Sequence, residues 1–240
     1  MQSRMEAGIL GRKTSRGYYV YENGKKVEPE RGSLPEYDGG PVWISKAEPD
    51  GHAALSDVAS KCGAKIVTGD TPPDGALILV TPVGQEVTQA AVEQGLDAAR
   101  TVGVDYLVGL GTHRTVVSNP ATSLEYRDRA LGLLNNDGVG ATAVRDCPAF
   151  VCQRVLATIC NIGCQIAQLG TAEPEDIDKA VVLGLNYPSG PLSFGETLGP
   201  KNILKILEGL YSSYGDPRYR PSPWLRRRAM LGLSLFDKEI

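Results

Sequence analysis

Val42-Trp43-Ile44-Ser45-Lys46-Ala47-Glu48-Pro49-Asp50-Gly51-His52 reads as a β-branched strand, a polar turn and the entry to a helix that runs to about Lys61. The alternation continues: Lys65-Ile66-Val67 and Leu77-Ile78-Leu79-Val80 as strands, then a longer helix from about Glu86 to Arg100. Tyr106-Leu107-Val108 reads as the next strand, followed by a helix from about Leu124 to Leu134 and a last strand, Ala141 to Val144. Short apolar runs alternating with helical stretches predict βαβ units and a parallel sheet. Residues 41–145 are therefore expected to be Rossmann-like in plan.

Before this region, residues 1–40 are rich in Gly, Lys, Arg and Tyr. Asn23-Gly24 divides Tyr18-Tyr19-Val20-Tyr21 from a polar stretch, which predicts a short hairpin or an extended tail. Pro29 to Pro41 lacks any period that could bury a face and reads as a linker. After it, residues 146–240 are helical. Phe150 to Leu169 is apolar nearly all round, with Gly170 as its stop, and is expected to be buried between other helices. Pro174, Glu175, Asp176 and Asp178 mark the next helix start, with Ile177, Ala180, Val181 and Gly184 as its inward stripe. Leu198 to Tyr211 and Pro223 to Leu233 read as further helices. The expected fold is a degenerate Rossmann-like α/β domain followed by an all-α helical bundle.

A chain of 240 residues is long enough for one large or two modest domains. It carries 25 Lys and Arg against 28 Asp and Glu, a net charge of -3, which gives no whole-surface attraction for nucleic acid or anionic membrane. The start is polar, and no apolar run approaches the roughly 20 residues that span a bilayer, so a cytoplasmic protein is expected. Cys62, Cys147, Cys152, Cys160 and Cys164 are an odd set without paired CxxC or Cys/His spacing. They read as core residues in a reducing compartment, with no metal site.

A Rossmann plan requires the first strand-to-helix turn to be searched for G-x-G-x-x-G, whose glycines let backbone approach a diphosphate. Ser45 to Gly51 lacks it and places Glu48 and Asp50 where an anion needs bare amides. Gly109-Leu110-Gly111 is only a fragment and reads as a turn. No NAD site is expected within this chain.

Three segments carry a resemblance. Asp146-Cys147-Pro148-Ala149-Phe150-Val151-Cys152-Gln153-Arg154, then Glu175-Asp176-Ile177-Asp178-Lys179-Ala180, then Asn186-Tyr187-Pro188-Ser189-Gly190-Pro191-Leu192 resemble, in order and spacing, the C-terminal helical domain of 3-hydroxyacyl-CoA dehydrogenases. Glu6 to Tyr19 is similar to the segment that closes a first such domain in long bacterial members. Those members have an NAD-binding domain, a helical domain, a degenerate Rossmann-like insert and a second helical domain. The resemblance implies that this chain is the C-terminal half, with residues 1–40 as the tail of a preceding domain.

It also implies NAD-dependent oxidation of a 3-hydroxyacyl-CoA to the 3-ketoacyl-CoA, a step of fatty-acid β-oxidation. NAD would be bound by an N-terminal half absent from this chain, and a homodimer is implied. In the family a histidine of an H-F-x-N-P run, oriented by a glutamate, takes the hydroxyl proton while hydride passes to the nicotinamide. A serine and an asparagine hold the substrate oxygen. Here Asn119-Pro120 stands six positions after His113, so the spacing fails, and Gln153-Arg154 stands in place of the family's Asn-Arg pair.

His113 is thus a weak candidate base, with Glu125 its candidate orienting group, against a loop histidine and a solvated carboxylate. His52 is weaker still. Glu175, Asp176 and Asp178 read as helix-start charges rather than as an acid/base pair. Asn186, Tyr187, Pro188, Gly190 and Pro191 form a rigid turn that the resemblance places near the cleft. With Gln153 and Arg154 they are the candidate substrate or interface residues. Arg218, Arg220, Arg226, Arg227 and Arg228 read either as a CoA-phosphate or carboxylate surface or as a solvated face. Three functions stay open: a completing half, a stand-alone module that binds acyl-CoA or a partner protein, and a complete dehydrogenase with an unrecognised cofactor loop.

Overall fold

The computed structural model describes residues 2–27 and 34–238. Contacts divide the chain into two units, Met1–Ser33 and Leu34–Ile240. The first holds helix α1 (Gln2–Glu6) and a hairpin of β1 (Tyr21–Glu22) and β2 (Lys25–Lys26). Asn23 and Gly24 join the strands with φ of 51° and 75°, the left-handed pair that a two-residue hairpin turn requires. The expected linker lies partly outside the described residues. Within the second unit, Leu34 and Tyr37 pack on the sheet core, and Gly132 has no room for a Cβ because the backbone of Glu36 and Tyr37 crosses it.

The second unit opens with β3 (Pro41–Ile44), α2 (Pro49–Lys61) and β4 (Lys65–Ile66). Then come β5 (Leu77–Val80), α3 (Val87–Glu93), β6 (Thr101–Val104), β7 (His113–Ser118), α4 (Leu124–Asn135) and β8 (Gly140–Arg145). The strands form one sheet in the order β4-β3-β5-β6-β7-β8. All neighbouring pairs are parallel except β6 with β7. One face packs Val42, Ile44, Leu77 and Leu79 against Leu55 of α2 and Leu133 of α4. The other packs Trp43, Ile78 and Val80 against Val87 and Ala90 of α3 and against Phe150.

Three expectations for this region are corrected. The long helix ends at Glu93 because Gly95, at φ 63°, closes it in a left-handed cap, with the Leu96 amide donating to Ala91. The strand lies at Thr101–Val104, not at 106–108, because Asp105 accepts the Leu107 amide and turns the chain there. The segment beginning at His113, expected as a loop, is the strand β7. Only residues 105–112 join β6 to β7, too short for a parallel crossover, so the pair is antiparallel.

The helical part comprises α5 (Cys152–Gln168), α6 (Pro174–Leu185), α7 (Pro191–Leu198), α8 (Pro200–Tyr214) and α9 (Pro223–Leu231). Its core gathers Ala157, Cys160 and Cys164 of α5 with Leu192, Ile203, Ile206, Leu207, Leu210 and Trp224. Here α5 is not buried all round: Val155, Ile162 and the following Leu169 are exposed. On α6, Ile177 is buried but Ala180 and Gly184 are exposed, so the inward stripe is shorter than expected. One helix more than expected is present, since Pro191–Leu198 is separated from α8 by Gly199 at φ 87°.

Arg114 of β7, 2% exposed, ties the sheet to the end of α4. Its Nη1 and Nη2 donate to the two carboxylate oxygens of Asp137, each at 2.7 Å, and Nη1 also donates to the Leu134 carbonyl at 2.6 Å. These bonds hold the Asp137 carboxyl well below the usual range. Asp137→Asn strands a buried guanidinium and should cost about 3 kcal/mol in urea unfolding at neutral pH. A depressed carboxyl gives up its stabilisation as pH falls through its folded value, so the gap between the two proteins should narrow on acidification. A gap that is independent of pH refutes the assignment.

Candidate functional site

At the carboxyl end of β5, Thr81-Pro82-Val83-Gly84-Gln85 turns onto the helices. Val83 is buried in the helical core. Gly84, at φ 77°, has no space for a Cβ against the backbone of Lys205 and Ile206, and Gly209 has none against Gly84. Two glycines from different elements thus let the loop lie backbone to backbone on α8.

Gln153, the second residue of α5, is fully buried at this contact. Its Oε1 accepts the Gly84 amide at 3.1 Å, and its Nε2 donates to the Pro82 carbonyl at 3.3 Å and to Asp105 Oδ1 at 3.1 Å. Ala149 and Phe150 precede α5 with φ of 56° and 48°, sparsely populated for residues with a Cβ. Ala149 enters the helical core and Phe150 the sheet core, so the turn links both. Asp146 fastens α3, accepting from the Val87 and Thr88 amides and the Thr88 hydroxyl.

Asp105, fully buried, is the residue that sequence reasoning missed. Its Oδ2 has no hydrogen-bond partner among the described residues. Burial pushes its carboxyl up to about 6, against the Gln153 amide and the backbone amides that lower it. Burial, with Glu48, Asp50 and Asp105 adding, pushes Tyr106 to about 12. Nothing in the local sequence marks Asp105, whose neighbours resemble a strand.

The turn after β3 stands where a Rossmann plan places its nucleotide loop. Gly51 lies so close to Thr81 and Tyr106 that a Cβ would collide with both, the helix-to-strand approach for which the last glycine of G-x-G-x-x-G is used. Counting back from Gly51 puts Lys46 and Glu48 at the other two glycine positions. Glu48 is ion-paired to Lys205 of α8. A bound diphosphate would meet that carboxylate, so the residues present do not fit a dinucleotide here.

The remaining candidates disperse. His113 starts β7 and its Nε2 is 2.7 Å from Thr142 Oγ1, while Glu125 is bonded to Arg129 instead. Setting the H-F-x-N-P run on Asn119-Pro120 puts buried Val116, whose side chain has no atom that can accept a proton, at the histidine position. Asn119 donates to the Ala98 and Thr101 carbonyls. Arg154 donates to the Pro148 carbonyl and the Tyr214 hydroxyl. His52 sits on α2 with its Nδ1 buried and without a partner among the described residues. Of the basic cluster, Arg218 and Arg226 pair with Asp216 and Glu208. Arg228 is buried over Trp224 and donates to the Asp237 carbonyl. Among the described residues no group of three or more His, Cys, Asp or Glu could hold a metal.

The turn from 186 to 191 is built around a residue read differently from sequence. Asn186 caps α6 at φ 55°. Asp178, expected as a helix-start charge, is buried and caps α7, accepting from the Leu192 and Ser193 amides at 2.8 and 2.9 Å and from the Ser193 hydroxyl. Gly190 has no Cβ because Asp178 occupies that space. Tyr187 and Pro191 help line an apolar cavity of about 200 Å³ with Ile159, Ile162, Ile166 and Leu185.

A raised carboxyl keeps its proton in the folded chain above the pH at which the unfolded chain releases it. Asp105 therefore costs stability progressively between pH 3.8 and about 6, reaching about 3 kcal/mol at neutral pH. Asp105→Asn keeps the bond from Gln153 and should be the more stable protein above pH 6, with the difference shrinking toward pH 4. Thermal melts across that range check it, and parallel curves for the two proteins exclude a buried titrating carboxyl.

Residues 150–234 match the family described as 3-hydroxyacyl-CoA dehydrogenase, C-terminal domain. The chain is 34% identical over 205 residues to the 3-hydroxyadipyl-CoA dehydrogenase of Escherichia coli (strain K12), covering 83% of this chain and 42% of that protein. It is 38% identical over 117 residues to a probable 3-hydroxybutyryl-CoA dehydrogenase of Bacillus subtilis (strain 168), covering 49% of this chain and 41% of that protein. It thus spans less than half the length of these curated relatives. Among solved structures, the 3-hydroxybutyryl-CoA dehydrogenase of Escherichia coli K12 is similar over 96% of this chain and 43% of its own, with a TM-score of 0.68 and 28% identity. The (S)-3-hydroxybutyryl-CoA dehydrogenase of Ralstonia eutropha shares the fold at 21% identity and a TM-score of 0.63, over 83% of this chain and 71% of its own. Residues 150–234 are therefore assigned to the C-terminal domain family of the 3-hydroxyacyl-CoA dehydrogenases, and the chain is consistent with the C-terminal half of such a dehydrogenase.

Proposed function

We propose that this chain completes an NAD-dependent 3-hydroxyacyl-CoA dehydrogenase whose NAD-binding domain lies outside it. The whole enzyme would oxidise the 3-hydroxyl of an acyl-CoA in the cytoplasm, with hydride passing to the nicotinamide. The domain division proposed is a tail to residue 40, an α/β layer over 41–145 and a helical layer over 146–240. The observation that carries this reading is the Gly84–Gln153–Asp105 junction. At the place of the family's asparagine stands an amide spent wholly on buried protein partners, so the junction serves packing rather than substrate. Glu48 at the diphosphate position favours the same reading over a complete dehydrogenase within this chain.

The exposed apolar residues of α5 and α6, among them Val155, Ile162, Leu183 and Leu185, favour pairing with a second copy. The turn Asn186–Pro191 borders that face and is proposed as part of the interface. No described helix is long and apolar enough to cross a membrane.

The decisive assay is NADH consumption with acetoacetyl-CoA by the purified chain, alone and mixed with a separately made NAD-binding half of the family. Silence alone and turnover on mixing is the expected result. Turnover alone overturns it and directs attention to His113 and the Gly109 turn, while silence in both favours a stand-alone module that binds acyl-CoA or a protein partner. Ile162→Lys is expected to shift the chain from dimer to monomer in light scattering; a wild-type monomer refutes the pairing.

A further inference from the structure

Residues 105–112 leave the carboxyl end of β6 and return as β7. At one end the Asp105 amide donates to the Thr115 carbonyl of β7 at 3.2 Å; at the other the Gly109 carbonyl accepts the Thr112 and His113 amides. Between these anchors, Tyr106, Leu107 and Val108 have no backbone bond to the sheet or to a helix among the described residues. Their amides turn inward instead: Leu107 donates to Asp105 Oδ1 at 3.2 Å, and Val108 donates to the same carboxylate. One side chain therefore holds the stretch that follows it, aided by the Tyr106 and Leu107 side chains, which pack on the helical core.

The carboxyl that does this is poorly provided for once it is charged. Asp105 is fully buried, its Oδ1 takes the Leu107 and Gln153 donors, and its Oδ2 takes none among the described residues. A buried anion needs a cation or a full set of donors. From α5 it faces the Cys152 thiol and the neutral amide of Gln153. From its own loop it faces Tyr106, beyond which stand the Glu48 and Asp50 carboxylates of α2. The cations of the surrounding elements are committed elsewhere, Lys205 of α8 to Glu48 and Arg114 of β7 to Asp137. Beyond the loop after β5, Glu86 lies beside a second carboxylate, Asp146.

We infer that Asp105 is a proton-held latch: while its carboxyl is neutral, residues 106–108 stay closed on the start of α5, and its ionisation swings them out so that the carboxylate reaches water. Moving three residues hydrates Oδ2 at far less cost than unfolding the sheet. Only Tyr106 and Leu107 must leave the helical core, and Gly109, at φ 88°, supplies the pivot. Opening also uncovers the Gln153 amide, so a carboxylate and an amide that the closed form spends on each other face solvent together. In the closed form the carboxyl keeps its proton up to about pH 6, whereas in the open form it releases it near the ordinary 3.8. Opening thus becomes about tenfold more frequent per pH unit between these values and levels off above them. This inference does not depend on the chain completing a dehydrogenase.

The test is amide hydrogen exchange of the full chain by mass spectrometry, each rate divided by its intrinsic value at that pH. Between pH 4 and 6 the protection of Leu107 and Val108 should fall by about 100-fold, with little further change to pH 7. Urea separates local opening from unfolding: at ~1 M it should leave these amides within ~2-fold while those of β3 lose at least ~10-fold in protection. Asp105→Asn, which cannot ionise, should abolish the pH dependence at Leu107 and Val108. If that variant fails to fold by circular dichroism, the urea comparison on the wild type still decides. Exchange of residues 106–108 as sensitive to urea as that of β3, protection unchanged between pH 4 and 6, or a pH dependence kept in Asp105→Asn overturns the assignment.

Discussion

The side-chain amide of Gln153 is the contact on which the arrangement of the second unit depends. A buried amide must use its donor and its acceptor locally or cost several kcal/mol. Gln153 does so across three segments that are far apart in sequence: the loop after β5, the residue after β6 and the start of α5. Because the loop is fixed there, Gly84 can touch α8 and Val83 can enter the helical core. The sheet and the helices are thereby one packed body rather than two lobes around a cleft. The left-handed turn at Ala149 and Phe150 follows from the same constraint, since it must deliver one side chain to each core.

This explains which parts of the fold were legible in the sequence. The strands β3, β5 and β8 and the helices α2, α4 and α9 are set by local patterns, and each was read close to its observed range. The segment 94–118 was misread because its order is set by side chains acting at a distance. Tyr106-Leu107-Val108 is as apolar as a strand, yet the Asp105 carboxylate bends the chain around itself. The strand β7 alternates too weakly to be seen, since Arg114 is buried through Asp137, a partner 23 residues on. The apolar breadth of α5 was legible, but its meaning was not: exposed Ile162 and buried Cys160 are equally apolar in a sequence.

The candidate site was legible in its negatives more than in its positives. The missing glycines of the nucleotide turn and the failed spacing at His113 are matters of counting, which a sequence supports directly. That Glu48 has a cation across from it, that Asp178 caps the helix after its own, and that Asp105 is buried are matters of three-dimensional juxtaposition. Gln153 is the intermediate case. The substitution for asparagine was visible, and the extra methylene now has a purpose: the longer side chain reaches the loop after β5, which a buried asparagine at the same backbone position would reach less far.

The turn after β3 shows which positions of a nucleotide-type loop the protein's own packing constrains. Of the three positions in the glycine fingerprint, the first serves the tight turn, the second the approach of backbone to the diphosphate and the third the contact between helix and strand. The contact position is Gly51, and it is filled by glycine, because any Cβ would strike Thr81 and Tyr106 and push α2 off the sheet. The first two positions carry Lys46 and Glu48. Once Glu48 is present, the amide end of α2 already faces an anion, and a cation from the helical layer becomes favourable opposite it; Lys205 supplies that cation. The polarity of the helix end is met by two side chains that join α2 to α8, so it works for the cohesion of the unit.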